Sequence, residues 1–189
     1  MRKLILAVTL GGLILMGAQN ASAEEESSLP TVDVQEVSGL LDEIQAQAME
    51  DAIERSSGEG SQALVFQMNT RGSVLSRERV AVLLERLAAA KVPVAIWVGP
   101  SGSRLYGLAA QLLAAADVTA MAPGTRIGNM GTPLDAQGVT FDFGTSTEIL
   151  QGNTIGFADA RKTGALKFSG SDEGVPVMKN MIFALRFVN

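Results

Sequence analysis

Between Thr31 and Val37 the chain alternates, with Val32, Val34 and Val37 set against polar neighbours, an imperfect period of two that predicts a strand near a sheet edge. Over Leu41 to Arg55 the spacing turns helical, through Leu41, Ile44, Ala48, Ala52 and Ile53, and the glycines within Ser56 to Ser61 predict the end of that helix. Ala63 to Met68 is a short strand-like run. Arg77 to Ala90 places Val80, Leu83, Leu84 and Leu87 on one face of a second helix. Pro93 to Val98 reads as a buried strand, Leu105 to Ala116 as a helix of small residues, and Val118 to Met121 as a further short strand.

This order alternates strand and helix. Right-handed βαβ crossovers then follow, with parallel strands, and the fold class is α/β. Beyond Pro133 the pattern weakens. Asp135 to Thr147, rich in Gly, Thr and Asp, predicts a loop or hairpin; Ala158 to Leu166 a short helix stopped by Gly164; and Val175 to Phe187 a last amphipathic helix with Val177, Met181, Ile182 and Leu185 on one face.

The first residues have a different character. Arg2 and Lys3, an apolar run from Leu4 to Met16 and the Ala21-Ser22-Ala23 cleavage signal form a secretory signal peptide over 1–23. The apolar run is shorter than the roughly 20 residues that span a bilayer. Glu24 to Pro30 reads as a flexible leader, and 31–189 as a single domain, a length that buries roughly 70% of the unfolded chain's surface. The expected location is extracytoplasmic, secreted or membrane-associated. Loss of residues 1–23 removes two cations and no anions, moving the formal charge from −5 to −7. With no basic tract, nothing supplies the phosphate-neutralising surface that nucleic acid needs, so nucleic acid is not an expected partner. The chain contains neither cysteine nor histidine. That removes a disulfide framework, a thiolate nucleophile and the commonest metal ligand, and no cofactor or metal is expected.

Candidate chemistry lies in two loops placed after strands, where ligands of open α/β sheets gather: Asn69-Thr70-Arg71-Gly72-Ser73 and Gly99-Pro100-Ser101-Gly102-Ser103. Glycines there let backbone N–H groups approach an oxyanion or an extended peptide; the plainer reading is ordinary strand-to-helix turns. Asp117 and Asp135 read as turn residues rather than as a catalytic carboxylate pair, and Pro123-Gly124-Thr125 as a tight turn. Trp97 and Tyr106 are candidates for lining a groove, although Trp97 at the end of an apolar strand reads more simply as core.

Three segments together, Asn69 to Ser73, Pro100-Ser101-Gly102-Ser103-Arg104, and the AADVTAMAPGTRIG run leading to Pro133, resemble the NfeD-type membrane serine proteases of the ClpP/crotonase superfamily. The resemblance covers Val32 to Pro133 and, more weakly, Gly156 to Leu166. It implies a ClpP/crotonase-like fold with repeated βαβ units, a serine peptidase ancestry and homo-oligomeric assembly, with a peptide or protein segment as ligand and a membrane protein as a possible partner. Position by position, the family's Thr-Pro-Gly-Gly oxyanion loop falls on Thr70-Arg71-Gly72-Ser73, so Gly72, Ser73 and Leu108 are the implied backbone donors. The implied nucleophile position holds Gly107, which has no side chain with which to attack. The family's lysine base falls within Thr145 to Leu150, which has no lysine. The reading favoured is therefore a catalytically impaired member that acts in peptide or protein binding or in assembly. Two alternatives stand beside it. One is an active peptidase using Ser101 or Ser103 with a remote lysine, Lys162, Lys167 or Lys179. The other is acyl-CoA binding of the crotonase type, which export away from cytoplasmic coenzyme A disfavours.

Overall fold

Two strands with continuous buried apolar runs set the middle of the molecule. β2 (Ala63–Ser73) buries Ala63 to Phe66 completely, and β3 (Val94–Val98) buries all five of its residues. Such continuous apolar runs suit a parallel sheet covered on both faces, because neither side of the strand meets water. The computed structural model describes residues 31–168 and 174–185; the segments expected as signal peptide and leader lie outside the described residues.

β1 (Val32–Leu41) pairs parallel with β2, its one partner among the described residues, which is the edge position the alternation predicted. β3 pairs parallel with the other side of β2 in register Leu64↔Val94, and β5 (Val118–Met121) pairs parallel with β3. α1 (Glu43–Glu59) and α2 (Arg77–Ala88) supply the crossovers between β1, β2 and β3. Asp42 caps α1 by accepting from Gln45 N–H at 2.9 Å, and Ser76 caps α2 by accepting from Arg79 N–H at 3.2 Å. Val80, Leu83, Leu84 and Leu87 of α2 are buried, as their spacing predicted.

Three expectations about α1 change. Leu41 belongs to β1, and the helix runs on through Ser56 to Glu59 before Gly60 closes it in the left-handed conformation. Its buried face is Ala46, Met49, Ala52, Ile53 and Ser56, whereas Ile44 is 80% exposed. Ser56 is buried because Asp33 accepts from its hydroxyl at 2.5 Å and from that of Ser61 at 2.8 Å, tying the C-terminal end of α1 to β1 and to the start of β2. On the outer surface Arg79 joins the two helices, pairing with Glu50 at 2.7 Å and Glu43 at 2.8 Å, and both partners raise its pKa.

The segment predicted as one helix from Leu105 divides. Arg104–Tyr106 forms β4, Gly107–Gln111 a 3₁₀ helix, and Leu112–Ala115 a short α3. Tertiary pairing overrides helix propensity here. β4 fills the continuation of the sheet beyond the end of β3, pairing with β2 at Thr70↔Leu105 and with β6 (Arg126–Gly128) at Leu105↔Ile127. β9 (Thr154–Gly156) closes that side antiparallel to β6. Asp135 to Thr147 resolves into a hairpin, β7 (Leu134–Ala136) and β8 (Val139–Phe141), followed by a 3₁₀ turn at Gly144–Ser146. α4 (Thr147–Gly152) lies in a stretch with no helical period. α5 (Phe157–Lys162) and Gly164 stand where the sequence placed them.

The sheet separates two apolar layers. Leu64, Phe66, Met68, Ile96 and Val98 face the helices α1 to α3; Val65, Ala95, Trp97 and Ala120 face the opposite side. Val175, Met181 and Leu185 cover that second face, the last two from α6 (Met178–Leu185). Val177 precedes the helix and is exposed, a departure from the predicted apolar face, and Ile182 is intermediate. Residues 186–187 of the predicted helix lie outside the described residues. Trp97 is core, 3% exposed, and donates its indole N–H to Val175 O at 2.8 Å.

Candidate functional site

The end of β2 does not become a loop. Asn69 to Ser73, expected as a turn after the strand, continues the pairing with β1, but the register shifts between Gly39↔Thr70 and Leu41↔Ser73. Arg71 and Gly72 therefore stand opposite the single residue Leu40, a bulge that re-aims the side chains on the strand. The buried Thr70 hydroxyl holds this bend, donating to Gly72 O at 2.7 Å. The Ser73 hydroxyl donates to Leu41 O and accepts from Leu75 N–H, both at 3.1 Å.

Because β4 pairs with β2 at Thr70↔Leu105, the residue that ends β4 arrives beside the bulge. Just past that end stands Gly107, with φ +67, and a Cβ built on it would lie 3.6 Å from Gly72 Cα. The structure thus brings Gly107, Leu108, Gly72 and Ser73 into one place. The Gly72 N–H is turned toward Thr70 Oγ1 at 3.4 Å, a long bond that a ligand acceptor there has to displace.

Ser101 and Ser103 lie in the adjoining cleft, which encloses about 460 Å³ between the β1–β2 bulge and the Pro100–Ser103 turn. Ser101 is exposed and Ser103 is 3% exposed. The wall of this cleft carries Asn69 and Arg71 but neither a lysine nor a carboxylate. Arg104 braces the turn from behind, its guanidinium donating to Ser103 O at 2.9 Å and Gly124 O at 3.0 Å, and its N–H to Asn69 Oδ1 at 3.1 Å.

The three downstream lysines stand elsewhere. Lys167 donates from Nζ to Ala114 O and Ala116 O, closing the C-terminal end of the helical segment whose other end is Gly107. Partial burial of its ammonium lowers the pKa, with Asp117 opposing the shift. Lys162 is exposed at the end of α5, and Lys179 lies over the Phe183 ring of α6 at 5.9 Å. Tyr106 ends β4 but is not part of the cleft wall.

The most recognisable residues of the chain prove to build the frame. Asp117 Oδ2 accepts from Val94 N–H at 2.8 Å, and its own N–H donates to Val94 O at 2.8 Å, locking the starts of β3 and β5. Thr125 returns its hydroxyl to Ala122 O at 2.6 Å, closing the Pro123-Gly124 turn. Gly128 is required by close approach, since a Cβ there would meet Asn153 O at 2.2 Å across the β6–β9 pair. Asp135 accepts from the Thr140 hydroxyl within the hairpin. Two cleft residues lie outside the candidate segments, Gly39 and Leu40, because β1 runs on past Val37; Arg71 lies inside one, but its place in the wall is not readable from the sequence. Only the bulge brings them there.

No protein-family model matches the chain, and no curated protein matches it. Solved structures do. A membrane protease specific for a stomatin homolog from Pyrococcus horikoshii superposes with a TM-score of 0.66 at 17% identity, covering 82% of this chain and 78% of that one. A lysine-to-alanine variant of a membrane-bound stomatin-specific protease, in complex with a substrate peptide, gives a TM-score of 0.69 at 17% identity over 82% of this chain and 79% of that chain. An enoyl-CoA hydratase/isomerase from Pseudoalteromonas atlantica is similar at a TM-score of 0.62 and 16% identity, over 82% and 73%. The chain has the ClpP/crotonase-like fold, a mainly parallel α/β architecture on which peptide hydrolysis and acyl-CoA chemistry both occur, so function has to be argued from the site.

Proposed function

We propose that this chain is an exported member of the NfeD-type serine protease group that captures extended peptide segments without cleaving them. The observation that carries the reading is Gly107. It opens the 3₁₀ helix that follows β4 and faces Gly72, where the resemblance puts the nucleophile, and it has no hydroxyl. A serine protease of this group needs a base as well as a nucleophile. Among the described residues the cleft wall contains no lysine, and Lys167 is engaged with helix carbonyls at the far end of the same segment.

In this reading an extended ligand lies along the bulge, its main-chain carbonyls accepting from the N–H groups of Gly72, Ser73 and Leu108, as in strand addition at a sheet edge. Assembly into a homo-oligomer and contact with a membrane protein belong to the same proposal. Export is tested by N-terminal sequencing of protein recovered from the extracytoplasmic fraction, with Glu24 expected first. The lost turnover is tested by incubating the purified protein with apolar peptides and with a fluorophosphonate probe. Peptide binding without cleavage and without labelling is the expected result. Turnover or labelling abolished by Ser101→Ala or Ser103→Ala overturns it in favour of an active peptidase, and CoA-thioester binding that excludes peptide overturns it in favour of the crotonase type.

A further inference from the structure

We infer that the cleft beside Gly107 takes the free C-terminal carboxylate of a peptide, with Arg71 as its charged contact. This rests on the peptide-binding reading of the site and specifies which part of the peptide enters the cleft.

The polar wall is built from donors. Asn69 has its Oδ1 occupied by the Arg104 N–H at 3.1 Å, so the group it has left to offer a ligand is its NH₂ end. Arg71 is exposed, borders the cleft, and has no hydrogen bond or ion pair to its side chain among the described residues. It is placed there by the bulge, where Arg71 and Gly72 oppose one residue of β1. Ser101 and Ser103 add hydroxyls.

No carboxylate in the wall answers these donors, in a chain whose formal charge is −5 overall. A wall of donors with one unanswered guanidinium calls for a planar anionic acceptor, and a carboxylate matches the two-pronged face of arginine. The main chain of a peptide interior offers only neutral carbonyls, and the anionic group that the main chain itself carries is the C-terminal carboxylate. Leu40, whose Cδ2 lies 3.7 Å from the Cβ position of Gly72, and Pro100 supply apolar surface at the same opening, which suits apolar side chains at the end of the ligand. About 460 Å³ accommodates a carboxylate together with its last side chains but not a folded domain.

The test uses fluorescein-labelled hexapeptides whose last two residues are Val, Leu, Ile or Phe, each made both as the free acid and as the C-terminal amide, with binding to the exported protein read by fluorescence anisotropy. The free acids are expected to bind about tenfold or more tighter than the amides, the scale of a charge-assisted contact. Arg71→Gln is expected to abolish the difference between acids and amides, while Arg71→Lys retains part of the preference. Arg71 has no structural partner to lose, and an unchanged melting temperature checks this. Equal binding of acid and amide, or a preference that survives Arg71→Gln, overturns the inference and leaves peptide binding standing. Absence of binding by either form overturns both. Displacement of bound acid peptide by CoA at equal concentration also overturns the inference, because it assigns the donors to phosphate.

Discussion

Restoring a serine at Gly107 should cost stability and restore no hydrolysis. Gly107 holds φ +67, a left-handed conformation that costs a non-glycine residue roughly 1–2 kcal/mol. Space is not the obstacle. The added Cβ meets only Gly72 Cα, at 3.6 Å, which is ordinary van der Waals contact, so the backbone term stands alone. For a domain of this size each kcal/mol corresponds to about 2–4 °C, and Gly107→Ser and Gly107→Ala should each lower the melting temperature by about 2–8 °C. Gly107→Asn should lose less, because asparagine tolerates this conformation better. Thermal unfolding followed by circular dichroism measures all three. A peptidase assay on Gly107→Ser measures the chemistry, and no turnover is expected because the cleft wall has no base. If Gly107→Ser matches the parent in stability, the backbone there is not held in the left-handed region and the argument from geometry fails. If it hydrolyses peptide, a base reaches the site and the reading of an impaired enzyme is wrong.

Gln111 is fully buried and spans the turn before β7, donating to Met130 O at 2.8 Å and Thr132 O at 3.0 Å and accepting from Leu134 N–H at 2.8 Å. Gln111→Leu strands these groups and should cost about 2–4 kcal/mol in urea unfolding, with faster hydrogen exchange across 130–134. The Asp33 pKa is lowered, first by the Ser56 hydroxyl and then by that of Ser61. Its folded pKa is below its unfolded one, so the contribution is complete above the unfolded value and is lost as pH falls through the folded value. Asp33→Asn should therefore flatten the acid limb of stability below about pH 4, as read by chemical unfolding across pH. Lys167→Met should loosen the C-terminal end of α3 by about 0.3–1 kcal/mol and leave peptide binding unchanged. A loss of binding there would tie Lys167 to the site after all.

Elements whose signal is local were legible. β3 is an uninterrupted apolar run, β5 a short run broken only by Thr119, and α2 carries four apolar residues on one face, so period and length settle them without any neighbour. β4 was not legible. Its three residues sit in a helix-prone stretch and become a strand only because β2 and β6 offer hydrogen bonds there. α4, six residues with Leu150 alone buried, carries no readable period. On α1 the apolar count favoured Ile44, but Ser56 lies on the buried face because the Asp33 carboxylate, distant in sequence, satisfies its hydroxyl.

The site divides along the same line. What a position lacks is written in its covalent structure, so the missing hydroxyl at Gly107, the missing lysine over 145–150 and the absence of histidine needed no coordinates. The motif around Asp117 and Gly128 also marked the fold correctly, because hydrogen-bond anchors and close backbone contacts demand particular residues at particular spacings. Which groups face one another is a matter of register. A shift between Gly39 and Leu41 turns Arg71 and Leu40 into the wall of a cleft, and a single bridge, Thr70↔Leu105, sets Gly107 against Gly72. Pairings across tens of residues depend on how whole strands align, and no local pattern encodes that alignment.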